Sequence, residues 1–258
     1  MPQEITALFE GSYSVDVTKK FIPFDASVHN KADRPASLFI HVQPFLIKTE
    51  TELLVLDTGL GYNNAAGDMI LHQNIIKAGY KPDDVSKVLM THLHFDHSGG
   101  MVYNRDGKLE LSFPNAEYVV QRGEWETAYS GQSKSYRTEI FDVLQRSGQL
   151  HLVDGSGTLT HEISYELTGG HCEFHQVFHI KTANNHYFMG GDILPEPQQL
   201  LKKFAAKYDF DGRKALDLRL QYGEKAVEQN WVCLFYHSDN KAYARVNKNE
   251  AGFYFEAI

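Results

Sequence analysis

Four side chains that can bind a metal ion stand close together in the chain, directly behind an apolar run. The run Val85–Met90 predicts a buried β-strand, and His92, His94, Asp96 and His97 follow it. If the backbone stays extended beyond the strand, His92 and His94 point to the same side, because side chains alternate along a strand. Asp96 and His97 are adjacent and point in different directions. One short loop can therefore supply two neighbouring metal positions, provided that other parts of the fold bring further ligands to it.

Three more metal-capable residues stand where predicted strands end, each after a short turn: His171, Asp192 and His237. Each has an ordinary explanation when taken alone, since an aspartate at a strand end is commonly a turn former. Together with the four-residue cluster, they predict a site that is assembled at the strand ends of an α/β protein. Imidazole and carboxylate donors in this combination suit Zn²⁺, with iron and manganese as the alternatives.

The bulk composition is that of an ordinary globular protein and argues against several other classes. Of the 258 residues, 42% are apolar and 22% charged, and no point in the sequence forces a domain boundary, so we predict one domain over residues 1–258. The net charge of −8 disfavours nucleic acid as the main partner. The two cysteines, Cys172 and Cys233, have no Cys-x-x-Cys spacing and predict no disulfide framework.

The distribution of apolar residues bears on location and partners. No window reaches the roughly 18 consecutive apolar residues of a membrane span, and the first residues lack the pattern of a secretory signal. We therefore expect a cytoplasmic protein that acts on a small-molecule substrate, without a nucleic-acid or membrane partner.

Hydrophobic periodicity predicts many short strands with helices between them. The predicted strands are Leu38–Ile47, Glu52–Leu56, Val85–Met90, Glu117–Gln121, His151–Val153, Ile163–Leu167, Gln176–Thr182, Tyr187–Met189, Trp231–Tyr236, Ala242–Val246 and Phe253–Glu256. The predicted helices are Asp68–Ala78, Gly123–Tyr129, Ser135–Arg146, Gln199–Lys207 and Gly212–Gln229. This pattern predicts an α/β layered fold, with sheets packed together and helices outside them.

The order of these motifs resembles that of the metallo-β-lactamase-fold hydrolases. The resemblance spans most of the chain and is carried by Asp57-Thr58-Gly59, His92-x-His94-x-Asp96-His97, Gly170-His171, Gly191-Asp192 and His237. It implies an αββα sandwich in a single domain, with a helical insertion before the last metal ligand and two metal ions at one edge.

The same resemblance assigns ligands to the two ions. It implies that one ion is held by His92, His94 and His171, that the other is held by Asp96, His97 and His237, and that Asp192 bridges them. For Asp57 two interpretations stay open, because this carboxylate either accepts a hydrogen bond from a ligand histidine or only caps a turn.

The function that the resemblance implies is that of a hydrolase with two divalent metal ions, for which zinc is the leading candidate. A hydroxide that bridges the metals would attack an ester or lactone carbonyl, with Asp96 and Asp192 as catalytic residues. The layout is most similar to the lactonase branch, which opens acyl homoserine lactones. The alternatives are a thioesterase of the glyoxalase II type and a mononuclear iron persulfide dioxygenase.

Residues beyond the ligands are predicted less sharply. The lactonase branch commonly has a tyrosine shortly after the bridging aspartate, and here Ile193 follows Asp192. Tyr208, Tyr236 and His175 are the candidates for an assisting role. The insertion aromatics Phe204, Tyr208 and Phe210 either wall a pocket or pack helices against the sandwich, and packing is the simpler expectation.

Overall fold

The computed structural model describes residues 4–131, 133–239 and 241–258. Over these residues the strands, in chain order, are β1 (Ile5–Ala7), β2 (Gly11–Val15), β3 (Phe21–Pro23), β4 (Leu38–Val42), β5 (Phe45–Lys48), β6 (Leu53–Leu56), β7 (Lys87–Leu89), β8 (Val102–Arg105), β9 (Lys108–Leu111), β10 (Glu117–Gln121), β11 (Leu150–Val153), β12 (Gly157–Thr158), β13 (Ile163–Leu167), β14 (Gln176–Lys181), β15 (His186–Met189), β16 (Val232–Leu234), β17 (Tyr243–Asn249) and β18 (Gly252–Glu256).

The α-helices of the same residues are α1 (Ile70–Lys77), α2 (Phe95–Ser98), α3 (Arg122–Tyr129), α4 (Phe141–Ser147), α5 (Gln198–Leu201) and α6 (Gly212–Glu228). Single 3₁₀ turns lie at Lys31–Asp33, Pro82–Asp84, Gly99–Met101, Thr138–Ile140 and Gly191–Ile193. Within the part of the chain that is described, every helix is too short or too polar to cross a bilayer.

Two large sheets form the centre of the molecule. The first has the strand order β1-β5-β6-β7-β10-β11, and the second runs from β12 to β18 in chain order. Alternation within a strand explains why they pack face to face: Leu54 and Leu56 of β6 lie in the core between the sheets, whereas Val55 faces the helices. A strand that is buried on both faces must be apolar at every position, as β6 is.

Three apolar layers result from this arrangement. Helices α1, α3 and α4 cover the outer face of the first sheet, with Leu71, Trp125 and Phe141 among the buried contacts. Helix α6 covers the outer face of the second sheet through Ala215, Tyr222 and Ala226. The predicted αββα sandwich is therefore confirmed, and most of the helical insertion before His237 forms its fourth layer.

Two predicted elements were wrong in extent. The predicted strand Leu38–Ile47 is two strands, because Pro44 has no backbone N–H to donate and the chain changes sheet there: β4 pairs with β2, and β5 pairs with β1 and β6. Of the predicted helix Gln199–Lys207, only a turn at Gln198–Leu201 forms. Arg219 of α6 instead donates a hydrogen bond of 2.7 Å to the carbonyl oxygen of Phe204, which fixes the following chain outside a helix.

Other elements lie outside the predictions. The predicted helix Ser135–Arg146 starts as a 3₁₀ turn and becomes α-helical only at Phe141. Strands β2 and β3 of the small sheet β3-β2-β4, and the hairpin strands β8 and β9, have no counterpart among the predicted strands. These four strands have three to five residues, too few for a clear alternation of apolar and polar positions.

The sheet topology brings the strand ends to one edge. Strands β6, β7, β10 and β11 run parallel to one another, as do β15 and β16 in the second sheet. The carboxyl ends of parallel strands lie at the same edge of a sheet. The residues that follow β6, β7, β15 and β16 include Asp57, His92 to His97, Asp192 and His237, so these meet at one edge of the sandwich.

Candidate metal centre

All seven predicted ligands converge at this edge. Their side chains form three groups in which one donor atom of each residue lies within 4.8 Å of the others. The groups are His92, His94 and His171; His92, His97 and Asp192; and Asp96, His97 and His237. Each group brings together residues from different loops, as the predicted strand ends require.

The first group is a triangle of ring nitrogens. His94 Nδ1 lies 3.1 Å from His92 Nε2 and 3.0 Å from His171 Nε2. The other nitrogens of these two partners face oxygens, at 3.1 Å from Thr91 Oγ1 and 2.8 Å from Asp209 Oδ1. When the rings of His92 and His171 are neutral with the proton on Nδ1, both Nε2 atoms direct their lone pairs toward the same point. Lone pairs that converge in this way can bind a cation.

Asp192 stands between the groups. Its Oδ2 lies 3.2 Å from His171 Nε2, and its Oδ1 lies 3.2 Å from His97 Nε2 and 3.1 Å from His237 Nε2. Despite these short distances, His97 Nε2 and Asp192 Oδ1 are buried and have no hydrogen-bond partner among the described residues. Buried polar atoms are rarely left without a partner. Donors that lie close together without bonding to one another fit a shared metal ion.

Asp96 completes the second group at a longer distance. Its Oδ2 lies 3.7 Å from His237 Nε2 and 4.0 Å from His97 Nε2. The residue belongs to the first turn of α2, which begins immediately after His94. The helix gives Asp96 and the adjacent His97 the different directions that the sequence predicted.

An aspartate and a backbone carbonyl fix the outer nitrogens of two of the predicted ligand histidines. His97 Nδ1 lies 2.9 Å from Asp57 Oδ2, and His237 Nδ1 donates to the carbonyl oxygen of His41 at 2.6 Å. Asp57 also accepts hydrogen bonds from the backbone N–H and the hydroxyl of Thr91, at 2.7 and 2.8 Å. Of the two interpretations of Asp57, contact with a ligand histidine is thus the one that the geometry supports.

Asp209 was not among the predicted site residues. It bonds to His171 from 38 residues further along the chain, within the segment that follows the short helix α5. No spacing rule links the two positions. Only the fold shows that Asp209 bonds to Nδ1 of His171, as Asp57 bonds to Nδ1 of His97.

Burial and nearby charges divide four histidines of the site into two classes by their pKa values. Burial and neighbouring rings hold the pKa of His92 and of His94 well below the usual value. Burial also lowers the pKa of His97 and of His237, but Asp192 and other nearby carboxylates outweigh it and raise both above the usual value. Burial alone would raise the pKa of Asp192. The surrounding histidines have the larger effect and hold this pKa well below its usual value, so the carboxyl is ionised.

Two of the candidate assisting residues support the site from behind. His175 Nε2 accepts the backbone N–H of Asp192 at 3.2 Å, and its Nδ1 bonds to Thr168 Oγ1 at 3.0 Å. The Tyr236 hydroxyl donates to the carbonyl oxygen of Asp96 at 2.7 Å, accepts the N–H of Gly59 at 3.1 Å, and is fully buried. Both side chains are fully engaged by these bonds, which leaves Tyr208 as the candidate that can reach a substrate.

Glu124 is a further buried carboxyl that sequence reasoning missed. It accepts hydrogen bonds from the backbone N–H of Leu93 at 3.0 Å, from the Tyr136 hydroxyl at 3.1 Å and from the Cys172 thiol at 3.2 Å. Burial and the Glu124 charge raise the pKa of Cys172 well above its usual value, so the thiol stays protonated.

A cavity of about 430 Å³ opens onto the site. One wall is the predicted metal centre, with His94, Asp96, Asp192 and His237. Another part of the lining is apolar and comes from the small sheet, through Val15, Phe21, Leu38, Phe39 and Ile40. Tyr208 and Phe210 of the insertion also line it. The expectation that the insertion aromatics only pack helices was therefore wrong for these two residues.

Comparison with known proteins agrees with this architecture. The model of the family described as the metallo-beta-lactamase superfamily matches residues 39–245. An N-acyl homoserine lactonase of Bacillus thuringiensis is 30% identical over 190 residues, which cover 64% of this chain and 70% of that protein. The N-acyl homoserine lactonase AttM of Agrobacterium fabrum is 34% identical over 122 residues, covering 43% and 41%.

Solved structures share the fold at lower sequence identity. A probable metal-dependent hydrolase from Staphylococcus aureus superposes with a TM-score of 0.75 at 19% identity, covering 99% of this chain and 98% of its own. AidC, described as a dizinc quorum-quenching lactonase in complex with a product, superposes with a TM-score of 0.72 at 19% identity, covering 97% and 92%.

Proposed function

Because this chain belongs to the metallo-β-lactamase superfamily and is a hydrolase of that superfamily, we propose that it holds two divalent metal ions, zinc first, and opens lactone rings. The leading substrates are acyl homoserine lactones, the class named in its relatives. The observation that carries the proposal is the convergence of seven metal-capable side chains, five of which line one cavity.

The residues that would hold the ions are those of the first and last groups, with Asp192 between them. His92, His94 and His171 form one set, and Asp96, His97 and His237 form the other. When bound, two such cations activate a water molecule as the nucleophile and polarise the carbonyl under attack. The side chains of the cavity supply the orientation and the proton transfers.

Proton transfer is assigned to Asp96. This carboxylate lines the cavity, and its side chain is 14% exposed, more than that of any other ligand in the second set. From there it can accept the proton of the attacking water and return it to the alcohol oxygen that leaves as the ring opens. Asp192, in contact with three histidines, keeps its charge and balances that of the site.

The shape of the cavity supports a substrate with an apolar substituent. The reactive carbonyl would lie at the metal centre, while Phe21, Phe39 and Ile40 offer a wall against which an alkyl or acyl chain can pack. Burial of each methylene group contributes about 0.8 kcal/mol. A longer acyl chain is thus favoured until the wall is covered.

Replacing Tyr208 with phenylalanine is expected to lower kcat by about 10- to 100-fold and to leave metal content unchanged. Burial and the charge of Asp192 raise the pKa of Tyr208, so its hydroxyl stays protonated and can donate to the carbonyl oxygen of the substrate. A hydrogen bond to developing charge contributes about 1.5–3 kcal/mol, which corresponds to this range of rates. Steady-state kinetics on a hexanoyl homoserine lactone measures the effect.

The matched control is Tyr254→Phe, because Tyr254 is a half-exposed tyrosine of the edge strand β18. Its kinetics should equal those of the wild type. Unchanged kcat in Tyr208→Phe would exclude a role for this hydroxyl in the reaction.

Lowering the pH is expected to remove the metal of the second set before that of the first. His97 and His237 have raised pKa values, so below those values they carry protons that a metal must displace. His92 and His94 have lowered pKa values and stay neutral to a lower pH. Metal content after dialysis against buffered zinc between pH 8 and 5 should pass through a plateau of one ion per chain.

The variant His97→Ala provides the reference for the first set alone in this titration. Its single ion should follow the lower step of the wild-type curve. Loss of both ions in one step, or loss of the first set at the higher pH, would contradict the assignment of the two classes of histidine.

The test of the proposed function is a substrate panel followed with a pH indicator. Zinc-loaded protein would be offered acyl homoserine lactones, simple γ-lactones, aryl esters, thioesters, a β-lactam and a phosphodiester. Saturable lactone opening that is lost in His97→Ala is the expected result. Turnover of thioesters alone would favour the glyoxalase II type, and oxidation of a persulfide by protein with one iron would favour the dioxygenase.

A further inference from the structure

The segment between α5 and α6 contains a buried carboxylate that no ligand assignment explains. We call residues 203–211 the strap. The side chain of Asp209 is 1% exposed, and its Oδ1 lies 2.8 Å from Nδ1 of His171. Its Oδ2 is buried and has no hydrogen-bond partner among the described residues. A buried carboxylate is costly unless charges compensate it, so its surroundings must supply them.

The compensating charges come from the site and from α6. Arg219 is 1% exposed and lies in the electrostatic field of Asp209. Its guanidinium donates to the carbonyl oxygens of Ile193 and Phe204, each at 2.7 Å. Asp209 therefore bonds to His171 and interacts electrostatically with a buried arginine, which also fixes the start of the strap and the residue after Asp192.

The strap is also fastened to the His171 loop through its backbone. The N–H of Phe210 donates to the carbonyl oxygen of His171 at 2.9 Å, and the N–H of Asp211 donates to that of Gly170 at 2.8 Å. Two backbone bonds and one side-chain bond thus join the same pair of segments. We expect movement of His171 to reach the strap, because the three bonds join consecutive residues of one segment to consecutive residues of the other.

The strap carries part of the cavity wall. Tyr208 and Phe210 flank Asp209 and line the cavity, and the Tyr208 ring lies 6.0 Å from the His171 ring. Most residues of the strap are exposed to solvent, including Lys207 and Phe210. Its order therefore depends on the few bonds to His171, Gly170 and Arg219 rather than on burial of a large apolar surface.

We propose that Asp209 is a positioning residue that joins the His92–His94–His171 set to the cavity wall, so that a metal ion bound by this set orders the strap. The inference rests on the proposed metal sites. An ion that fixes the His171 ring fixes the partner of Asp209, and with it the positions of Tyr208 and Phe210. Conversely, loss of the Asp209 carboxylate removes the bond that fixes the His171 ring, and Tyr208 and Phe210 in the cavity wall lose their connection to it.

Two measurements test this proposal. Hydrogen exchange with mass spectrometry compares the order of the strap in the metal-free and the zinc-loaded protein, and competition with a chromophoric chelator gives the zinc affinities. In the wild type, zinc should slow amide exchange in peptides covering residues 203–211 by about tenfold or more. In Asp209→Ala this slowing should be lost, and the affinity of the first set should fall by about 10- to 100-fold, as for partners of other ligand histidines. The affinity of the second set should stay within a factor of about two.

Two further variants separate positioning from a general loss of structure. Asp209→Asn keeps an oxygen for His171 Nδ1–H to donate to, and should retain slowed exchange in the strap while losing part of the affinity. Asp211→Asn makes the same change two residues away, at a side chain that accepts the N–H of Lys214 and caps α6. It should behave as the wild type in both measurements.

The outcomes distinguish this inference from the proposed function. If wild-type protein binds no zinc, the proposed metal sites and the inference are both wrong. If it binds two ions but the strap exchanges equally with and without them, or if Asp209→Ala keeps wild-type affinity, the inference alone is overturned. If Asp211→Asn loses strap protection as Asp209→Ala does, the effect belongs to the segment and not to the carboxylate.

Discussion

Replacing Asp192 with alanine is expected to remove both metal ions and to lower kcat/KM by about 10³-fold or more. The Asp192 carboxylate lies within 3.2 Å of histidines of both sets, through Oδ2 to His171 and Oδ1 to His97 and His237. Metal ions supply several kcal/mol of transition-state stabilisation, and each 1.36 kcal/mol is a factor of ten in rate. Inductively coupled plasma mass spectrometry and lactone kinetics on the same preparation measure both effects.

The control for this variant is Asp217→Ala, a surface aspartate of α6 that pairs with Arg213 and is half exposed. It should keep both ions and wild-type turnover. Asp192→Asn retains the size of the side chain and separates loss of charge from loss of packing. Normal turnover with two bound ions in Asp192→Ala would exclude the bridging role.

Replacing Asp57 with alanine is expected to destabilise the metal-free protein by about 3–5 kcal/mol, the usual cost of breaking a buried ion pair by removing one partner. Asp57 is fully buried, and its loss leaves His97 Nδ1 and both donors of Thr91 without an acceptor. The same variant should weaken metal binding by the second set by about 10- to 100-fold and leave the first set unaffected. Urea unfolding with chelator present and chelator competition measure the two effects separately.

Backbone strain must be separated from these losses, since Asp57 has a φ of 52°. Asparagine tolerates this left-handed conformation, whereas alanine is disfavoured in it. Asp57→Asn removes the charge while avoiding the strain, and should show most of the loss in metal affinity. If Asp57→Ala loses stability but binds the second ion like the wild type, Asp57 is only a turn cap.

The two aspartates illustrate which parts of the site the sequence could predict. Asp192 was predictable because it follows an apolar strand through two glycines, and strand ends meet at one edge of a layered sheet. Asp209 was not, because its partner His171 is remote in sequence and the strap has no regular structure of its own. The positions of the predicted ligands thus follow from local sequence patterns and the family resemblance, whereas the residues that hold them depend on tertiary contacts.

The fold shows the same division. Long apolar or alternating runs predicted β10 and β13 to the residue, and the helix Gly212–Gln229 to within one residue of its observed end. Lys202 to Ala206 has helical propensity but is not helical, because a side chain of α6 bonds to the carbonyl oxygen of Phe204. A tertiary hydrogen bond of this kind leaves no trace in the periodicity of the segment that it fixes.

The glycines after His97 are needed for close packing and not for an unusual backbone conformation. Gly99 has a helical φ of −55°. A Cβ at Gly99 would lie 2.4 Å from the carbonyl oxygen of Leu60, and one at Gly100 would lie 2.1 Å from that of Thr58. These glycines therefore allow the loop that carries Asp57 to pack against α2 and the turn that follows it, which places Asp57 against His97.

Native mass spectrometry of the intact protein counts the bound metal ions and is the decisive test of the two proposed metal sites. After loading with zinc and removal of excess metal, we expect two ions per chain in the wild type, one in His97→Ala and none in Asp192→Ala. Two results would contradict the assignment of these seven residues to two metal sites. One is a wild-type chain that binds a single ion, whether zinc or iron, and the other is a variant that still binds two ions after either substitution.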